Sequence, residues 1–209
     1  MKITVLGASG RTGARVVQQA CTADHQVTAV VRDPAKLQFR HRNLVTVRAD
    51  VLDPAALTPH LAGQDAVVSA LGANNLKPTT ICTDSAHAIL RAMTAEGTRR
   101  LLVVSTAGAI DEGDGPVLRY LLKPVLSRVF RHPWGDMIRM EELVMASDTD
   151  WTIIRPPRLT NAPHTGVYRT ATGANLPGGG SIPRADLADA ILRALGNPAA
   201  VHTALSVAT

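Results

Sequence analysis

Residues 5–13 read Val5-Leu6-Gly7-Ala8-Ser9-Gly10-Arg11-Thr12-Gly13, and their three glycines stand where a short apolar run, Ile3 to Leu6, gives way to a helical pattern, Ala14-Arg15-Val16-Val17-Gln18-Gln19-Ala20. A strand that turns at once into a helix needs a glycine for the tight turn at Gly7. It needs a second where backbone meets a ligand, at Gly10, and a third where helix packs on strand, at Gly13. Helix N-terminal amides favour phosphate oxygens, so Gly7, Ser9, Gly10, Arg11, Thr12 and Gly13 are expected to cradle the pyrophosphate of a dinucleotide. A second apolar run, Gln26 to Val31, follows at the distance that a βαβ unit requires.

The same rhythm continues along the chain. Strands are expected near residues 2–6, 26–31, 44–48, 66–70, 100–105 and 151–155, with helical patterns between most of them. Leu101-Leu102-Val103-Val104 and Ala66-Val67-Val68 are apolar on both faces, as a sheet covered by helices on both sides requires. The expected fold class is α/β, a Rossmann-type doubly wound parallel sheet in a single domain over 1–209. Its ligand crevice should lie at the carboxyl ends of the strands, where the strand order reverses. A substrate-covering segment is expected near 111–147: a polar loop, Asp111 to Pro116, then an apolar helix, Val117 to Phe130, which Pro124 kinks or divides. His132-Pro133-Trp134 should break that helix before another, Met137 to Ser147. Val117, Leu118, Leu121, Leu122, Val125, Leu126 and Val129 have the spacing of core packing, with a lid or a dimer surface as the alternatives. Gly173 to Gly180 reads as a surface loop before a last helix, Pro183 to Leu195.

With 45% hydrophobic residues in 209, the chain can bury one substantial core. No apolar run approaches spanning length and no secretory pattern precedes the first strand, so a cytoplasmic protein with no membrane partner is expected. Cys21 and Cys82 match no C-x-x-C spacing and no histidine pair stands at i, i+4; reduced cysteines and no metal site follow. The net charge of +5 lies entirely in residues 1–50, which hold 8 Lys/Arg against 3 Asp. Arg11, Arg32 and Lys36 lie in the half that should hold a cofactor rich in phosphate, without the basic helix or basic-aromatic interleaving of a nucleic-acid binder, and no nucleic-acid partner is expected.

Strand two ends Val30-Val31-Arg32-Asp33-Pro34, about twenty residues past the glycine turn, where such folds choose between cofactors. Asp33 before Pro34 has the signature of an N-cap, which leaves Arg32, helped by Lys36, to pair with a 2′-phosphate; NADPH is favoured over NADH. Asp50, followed by Val51 at the end of strand three, either accepts from an adenine amino group or caps the following turn. Gly72, in Ala70-Leu71-Gly72-Ala73, is placed for backbone to approach the cofactor's middle ribose. Ser105 and Thr106 put two hydroxyls at the end of strand five, to orient the nicotinamide or a substrate, or else to satisfy backbone groups. Arg158 is a candidate for holding an anionic substrate group, with a surface ion pair as its alternative. Six aromatic residues leave chiefly Trp134 and Tyr168 for a stacked pocket. An absence narrows the chemistry: Tyr120 is followed at +4 by Pro124 and Tyr168 by Thr172, so no Tyr-x-x-x-Lys proton donor of the usual ketone reductases exists.

Together the glycine turn, Val30-Val31-Arg32-Asp33, Asp50-Val51, Gly63-Gln64-Asp65-Ala66-Val67, Pro78-Thr79-Thr80, Arg155-Pro156-Pro157-Arg158 and Thr165-Gly166-Val167-Tyr168 make the chain resemble the atypical short-chain dehydrogenase/reductases. Within them it is most similar to the flavin reductase/biliverdin-IXβ reductase group and its NmrA-like relatives. The resemblance spans nearly the whole length. It implies a Rossmann fold, NADPH, and cofactor contacts at the glycine turn, Arg32, Asp50, Leu71, Gly72, Thr106 and Pro156-Pro157. It also implies hydride delivery to a flavin, quinone or tetrapyrrole, with flavin as a substrate and not a tightly bound group. The chain departs from the vertebrate reductases in having Met137 and Arg158 where they have substrate-facing histidines, and in a longer passage over 111–136. The expected function is that of an NADPH-dependent reductase of a conjugated small molecule, a monomer or homodimer; the alternative is an NADP(H)-binding redox sensor without turnover.

Overall fold

The computed structural model describes all of residues 1–209. Ten strands form in chain order: β1 Lys2–Leu6, β2 Gln26–Val31, β3 Leu44–Arg48, β4 Ala66–Ser69, β5 Arg100–Val104, β6 Asp150–Arg155, β7 Arg158–Thr160, β8 Arg169–Thr172, β9 Ser181–Pro183 and β10 Thr203–Ala208. Six α-helices accompany them: α1 Arg11–Thr22, α2 Pro54–Leu61, α3 Ile81–Glu96, α4 Lys123–Val129, α5 Arg131–Met145 and α6 Arg184–Leu195. The main sheet has the order β3-β2-β1-β4-β5-β6-β10-β8, parallel except for the antiparallel edge pair of β10 with β8. β7 and β9 form a separate small parallel pair.

Burial on both faces explains the strand composition. One core cluster packs α1 and α6 on one side of the sheet through Val16, Val17, Leu187 and Ile191. The other packs α2, α3 and α5 on the opposite side through Leu57, Ile89, Met93, Met140 and Val144. The strand order reverses between β1 and β4, each parallel and hydrogen-bonded to the other, so the loops after their carboxyl ends part and leave a crevice there.

The expectations for residues 117–136 are corrected. The stretch Val117–Phe130 is not core: Val117, Leu121 and Val125 are 61, 67 and 62% exposed, and Leu118, Leu122, Leu126 and Val129 are exposed as well. It is a π-helical turn, Leu118–Leu122, followed by α4, with Pro124 in the first turn of α4, where its missing N–H costs least. The break falls at Phe130, and α5 runs through His132-Pro133-Trp134 from Arg131, because Pro133 sits in its first turn. β3 stops at Arg48, so Asp50 lies in the turn beyond it. Within Gly173–Gly180, Asn175 is buried.

Candidate functional site

The glycine turn takes the form its sequence requires. Gly7 has φ +76°, and a Cβ there would stand 2.7 Å from the carbonyl oxygen of Ala70 at the end of β4. A Cβ on Gly13 would stand 2.2 Å from the Gly7 carbonyl oxygen, so only glycine lets the first turn of α1 pack this closely on the turn that follows β1. Gly10 donates its N–H to Gly7 O at 2.8 Å and precedes α1 with no side chain capping the helix and no acid in its first turn. The N-terminal end of α1, with Ser9, Gly10 and Arg11 exposed, therefore offers its partial positive charge to the crevice.

None of the chain's ion pairs involves Arg11, Arg32, Lys36 or Arg158. Arg32 and Lys36 are exposed beside the end of β2. Asp33 caps the 3-10 turn Pro34–Lys36, accepting from Ala35 N at 3.1 Å. Asp50 accepts from Leu52 N at 3.0 Å, the turn-capping alternative, which occupies one of its oxygens. Val51 is buried, while Leu71 and Gly72 are half-buried. A Cβ on Gly72 would meet only Met137 Cε, at 3.7 Å, so packing alone does not demand glycine there.

Beyond β5 lie two adjoining recesses. The smaller, about 410 Å³, is lined by Ser105, Thr106, Met137, Pro156 and Leu159 among others. Ser105 keeps a buried hydroxyl with no hydrogen-bond partner, an unsatisfied group that calls for a ligand atom or water. Thr106 Oγ1 accepts from Gly108 N at 3.1 Å, the backbone-satisfying alternative, and its hydroxyl proton is still free to be donated. The larger recess, about 920 Å³, shares Thr106, Phe130, Trp134 and Pro157 with the smaller one and extends to Val117, Leu118, Leu122, Leu126 and Arg158. Trp134 stacks on Phe130 with ring centroids 5.5 Å apart.

Tyr168 lies in neither recess. Its hydroxyl donates to Asp189 Oδ2 at 2.6 Å, and burial together with that carboxylate pushes its pKa up. Phe130, whose position beside a helix break did not advertise it, is the ring that lines both recesses with Trp134. Tyr120 is exposed while Lys123 turns inward, so the two cannot act as a proton-donating pair.

Sequence reasoning also missed what holds the larger recess together. Buried Lys123 bonds Asp114 at 2.6 Å and Asp111 at 2.8 Å and also donates to Ile110 O, and its hydrogen bond and charge hold the Asp111 carboxyl below its ordinary range. Asn175 Nδ2 reaches Ala107 O, Ile110 O and Asp114 Oδ1 at 2.8–3.1 Å, and Ser206 donates to Asn175 Oδ1 at 3.3 Å. Below the smaller recess, Asp136 accepts from Cys82 N and Thr83 N at the start of α3, and Arg155 forms a two-pronged buried pair with Glu141. Burial and Asp136 push the Cys82 thiol up to about 12, so it stays protonated. No three His, Cys, Asp or Glu side chains converge as metal ligands, and no helix is long and apolar enough to cross a membrane.

An uncapped helix N-terminus after a φ-positive glycine, unpaired cations on the same side and a partnerless buried hydroxyl at the end of β5 fit a dinucleotide laid across the reversal point of the sheet. The class that fold and cleft define is the Rossmann-type NAD(P)H-binding proteins. The family model described as NAD(P)H-binding matches residues 7–198, and the chain belongs to that family. It is 26% identical to Bacillus subtilis YwnB, an uncharacterized protein, over 95% of this chain and 93% of that one. It is 27% identical to the uncharacterized sugar epimerase YhfK of the same organism, over 93% and 88% of the two chains. A short-chain dehydrogenase/reductase from Veillonella parvula, solved in complex with NADP, has the same fold, with TM-score 0.80 over 100% of this chain and 94% of that one at 20% identity. These likenesses agree with the resemblance to atypical short-chain reductases.

Proposed function

We propose that the chain is an NADPH-dependent reductase that delivers hydride to a conjugated acceptor of the flavin, quinone or tetrapyrrole type. The observation that carries this reading is the large, mainly apolar recess joined to the end of β5 through Thr106, Trp134 and Pro157. A recess of this size and lining supports a broad planar acceptor beside the end of β5. NADPH supplies the hydride, two electrons with one hydrogen, and leaves as NADP⁺.

The chain's own residues position and polarise. Arg32 and Lys36, exposed and unpaired beside the end of β2, would hold a 2′-phosphate and so favour NADPH over NADH. The partnerless Ser105 hydroxyl would hold the nicotinamide carboxamide, and Thr106 would offer its remaining proton to the ligand. Trp134 and Phe130 present ring faces to the acceptor, and Arg158 draws an anionic group or stabilises charge that develops on the reduced ring. A flavin or quinone takes its proton from water, so the lack of a Tyr/Lys pair is no obstacle.

NADPH oxidation measured with FMN, riboflavin, short-chain quinones and biliverdin tests this. Turnover with at least one acceptor is expected. Tight NADPH binding with no oxidation of any acceptor would sink the reductase reading in favour of a redox sensor.

A further inference from the structure

Between Asp114 and Asp136 lie twenty-one residues without a single acid, Gly115 to Gly135. They place an unusual number of apolar side chains in water: Tyr120 is 71% exposed, and Leu121, Val125 and Val129 also project outward without lining either recess. Leu118, Leu122 and Leu126 face the larger recess instead. Arg119, Arg128 and Arg131 stand exposed among them with no carboxylate partner. Of the preceding acids, Asp111 and Asp114 are held by Lys123, and Asp136 is buried at the start of α3, which leaves Glu112 as the one free acid at the border.

We propose that this face, the π-helical turn with α4 and the start of α5, lies on an anionic lipid bilayer. Apolar tips buried among acyl chains and arginines at headgroup level are the two attractions of an interfacial helix, and tyrosine suits the boundary between them. The length expectation that excluded a membrane concerned spanning segments; a helix that lies flat has no such requirement.

Charge selects this occupant over a second copy of the chain. A two-fold contact through this patch would bring its own arginines toward one another, with no free acid inside the patch to pair with them. A surface of phospholipid headgroups supplies negative charge all along it. The Leu118-Leu122-Leu126 stripe makes the rim of the recess continuous with the docked face. On the reductase reading, the acceptor chamber then opens toward the lipid phase, which suits an acceptor that partitions there.

Flotation of the full chain with vesicles tests the docking without any turnover, so its failure leaves the reductase reading standing. The chain should rise with phosphatidylcholine vesicles containing phosphatidylglycerol, far less with phosphatidylcholine alone, and less as salt increases. Arg119→Gln and Arg128→Gln should each weaken the partition about fivefold. Leu121→Asp combined with Val125→Asp should abolish it while circular dichroism and melting stay at wild-type values, since both side chains are exposed. Absence of wild-type flotation on anionic vesicles overturns the proposal, and so does equal flotation of the double aspartate variant. Dimerisation without vesicle binding, dispersed by the same two aspartates in sedimentation, would give the face to a second copy and overturn it too.

Discussion

The indole of Trp134 lies so close over Gly108 that a Cβ at position 108 would stand 2.4 Å from ring atom Cε2. Glycine at 108 is thus what lets the ring serve as the partition between the two recesses. Gly108→Ala forces the indole aside and disturbs its stack on Phe130. Overpacking of this kind costs about 1–3 kcal/mol of stability. If Trp134 positions the acceptor as proposed, displacing it should lower kcat/KM for that acceptor on the order of tenfold. NADPH affinity, measured by fluorescence titration, should change little. Wild-type acceptor kinetics in the variant would remove Trp134 from the positioning role.

Gly10 and Gly13 separate ligand binding from folding. At Gly13 a Cβ would collide with backbone of Gly7 and Ala8, whereas at Gly10 the one contact is Gly7 O at 3.0 Å. Gly13→Ala should therefore lower the melting temperature of the cofactor-free protein. Gly10→Val should lose less stability than Gly13→Ala without cofactor and fail to gain stability when NADPH is added, because a ligand stabilises only the state that binds it. An NADPH-induced shift of wild-type size in Gly10→Val would show that the glycine turn is not the pyrophosphate site.

Arg32, exposed and without an acidic partner, should account for cofactor choice. Charged hydrogen bonds to a 2′-phosphate are worth on the order of 2–3 kcal/mol, a preference for NADPH over NADH of about a hundredfold. Arg32→Ala should erase most of it by weakening NADPH alone, and added salt should narrow the wild-type gap. Asp33→Ala should lower stability through the lost cap. Isothermal titration of both cofactors decides the matter, and an NADH preference in wild type would refute the assignment.

Asp186 sets an acid limit to stability. Burial alone would raise its pKa, but N–H groups of Gly166 and Thr165, the Thr165 hydroxyl and nearby His164 bring it below the ordinary value. A folded-state pKa below the unfolded value of about 3.9 gives stability that is present above that value and lost as pH falls through the folded pKa. Urea unfolding followed from pH 6 downward should show a decline below about pH 4. Asp186→Asn should be less stable near neutrality and lose less in the acid range. An identical acid slope in wild type and variant would dissociate Asp186 from that decline.

The six strands of the parallel core were legible because a sheet covered on both faces demands consecutive apolar β-branched residues, as in Ala66-Val67-Val68. The cap at Asp33 was equally plain, standing before a proline and accepting a backbone N–H; Asp53 carries the same Asp-Pro signature at the start of α2 but was passed over. Periodicity records that one face of a helix is apolar, not whether protein lies against it, and this is why Leu121 and Val125 looked like core. β8 and β10 escaped notice because Arg169–Thr172 and Thr203–Ala208 pair at the sheet's far edge without a long apolar run. Asn175 had no local signature at all: its partners stand some sixty residues away, and a polar residue inside a glycine-rich loop ordinarily faces water.

That amide has a consequence for how the molecule is made. The nucleotide half is built from successive βαβ neighbours, and β1 to β5 are paired in the sheet by residue 104. The walls of the larger recess come from 106–134, 155–158, 175–180 and 206–208, and Asn175 and Ser206 must both arrive before they lock. During synthesis, which proceeds from the N-terminus, the glycine turn and strands β1 to β5 can thus pair while the larger recess still lacks walls. Because Ser206 lies on β10 and bonds Asn175, the larger recess has its full wall only once β10 is paired in the sheet.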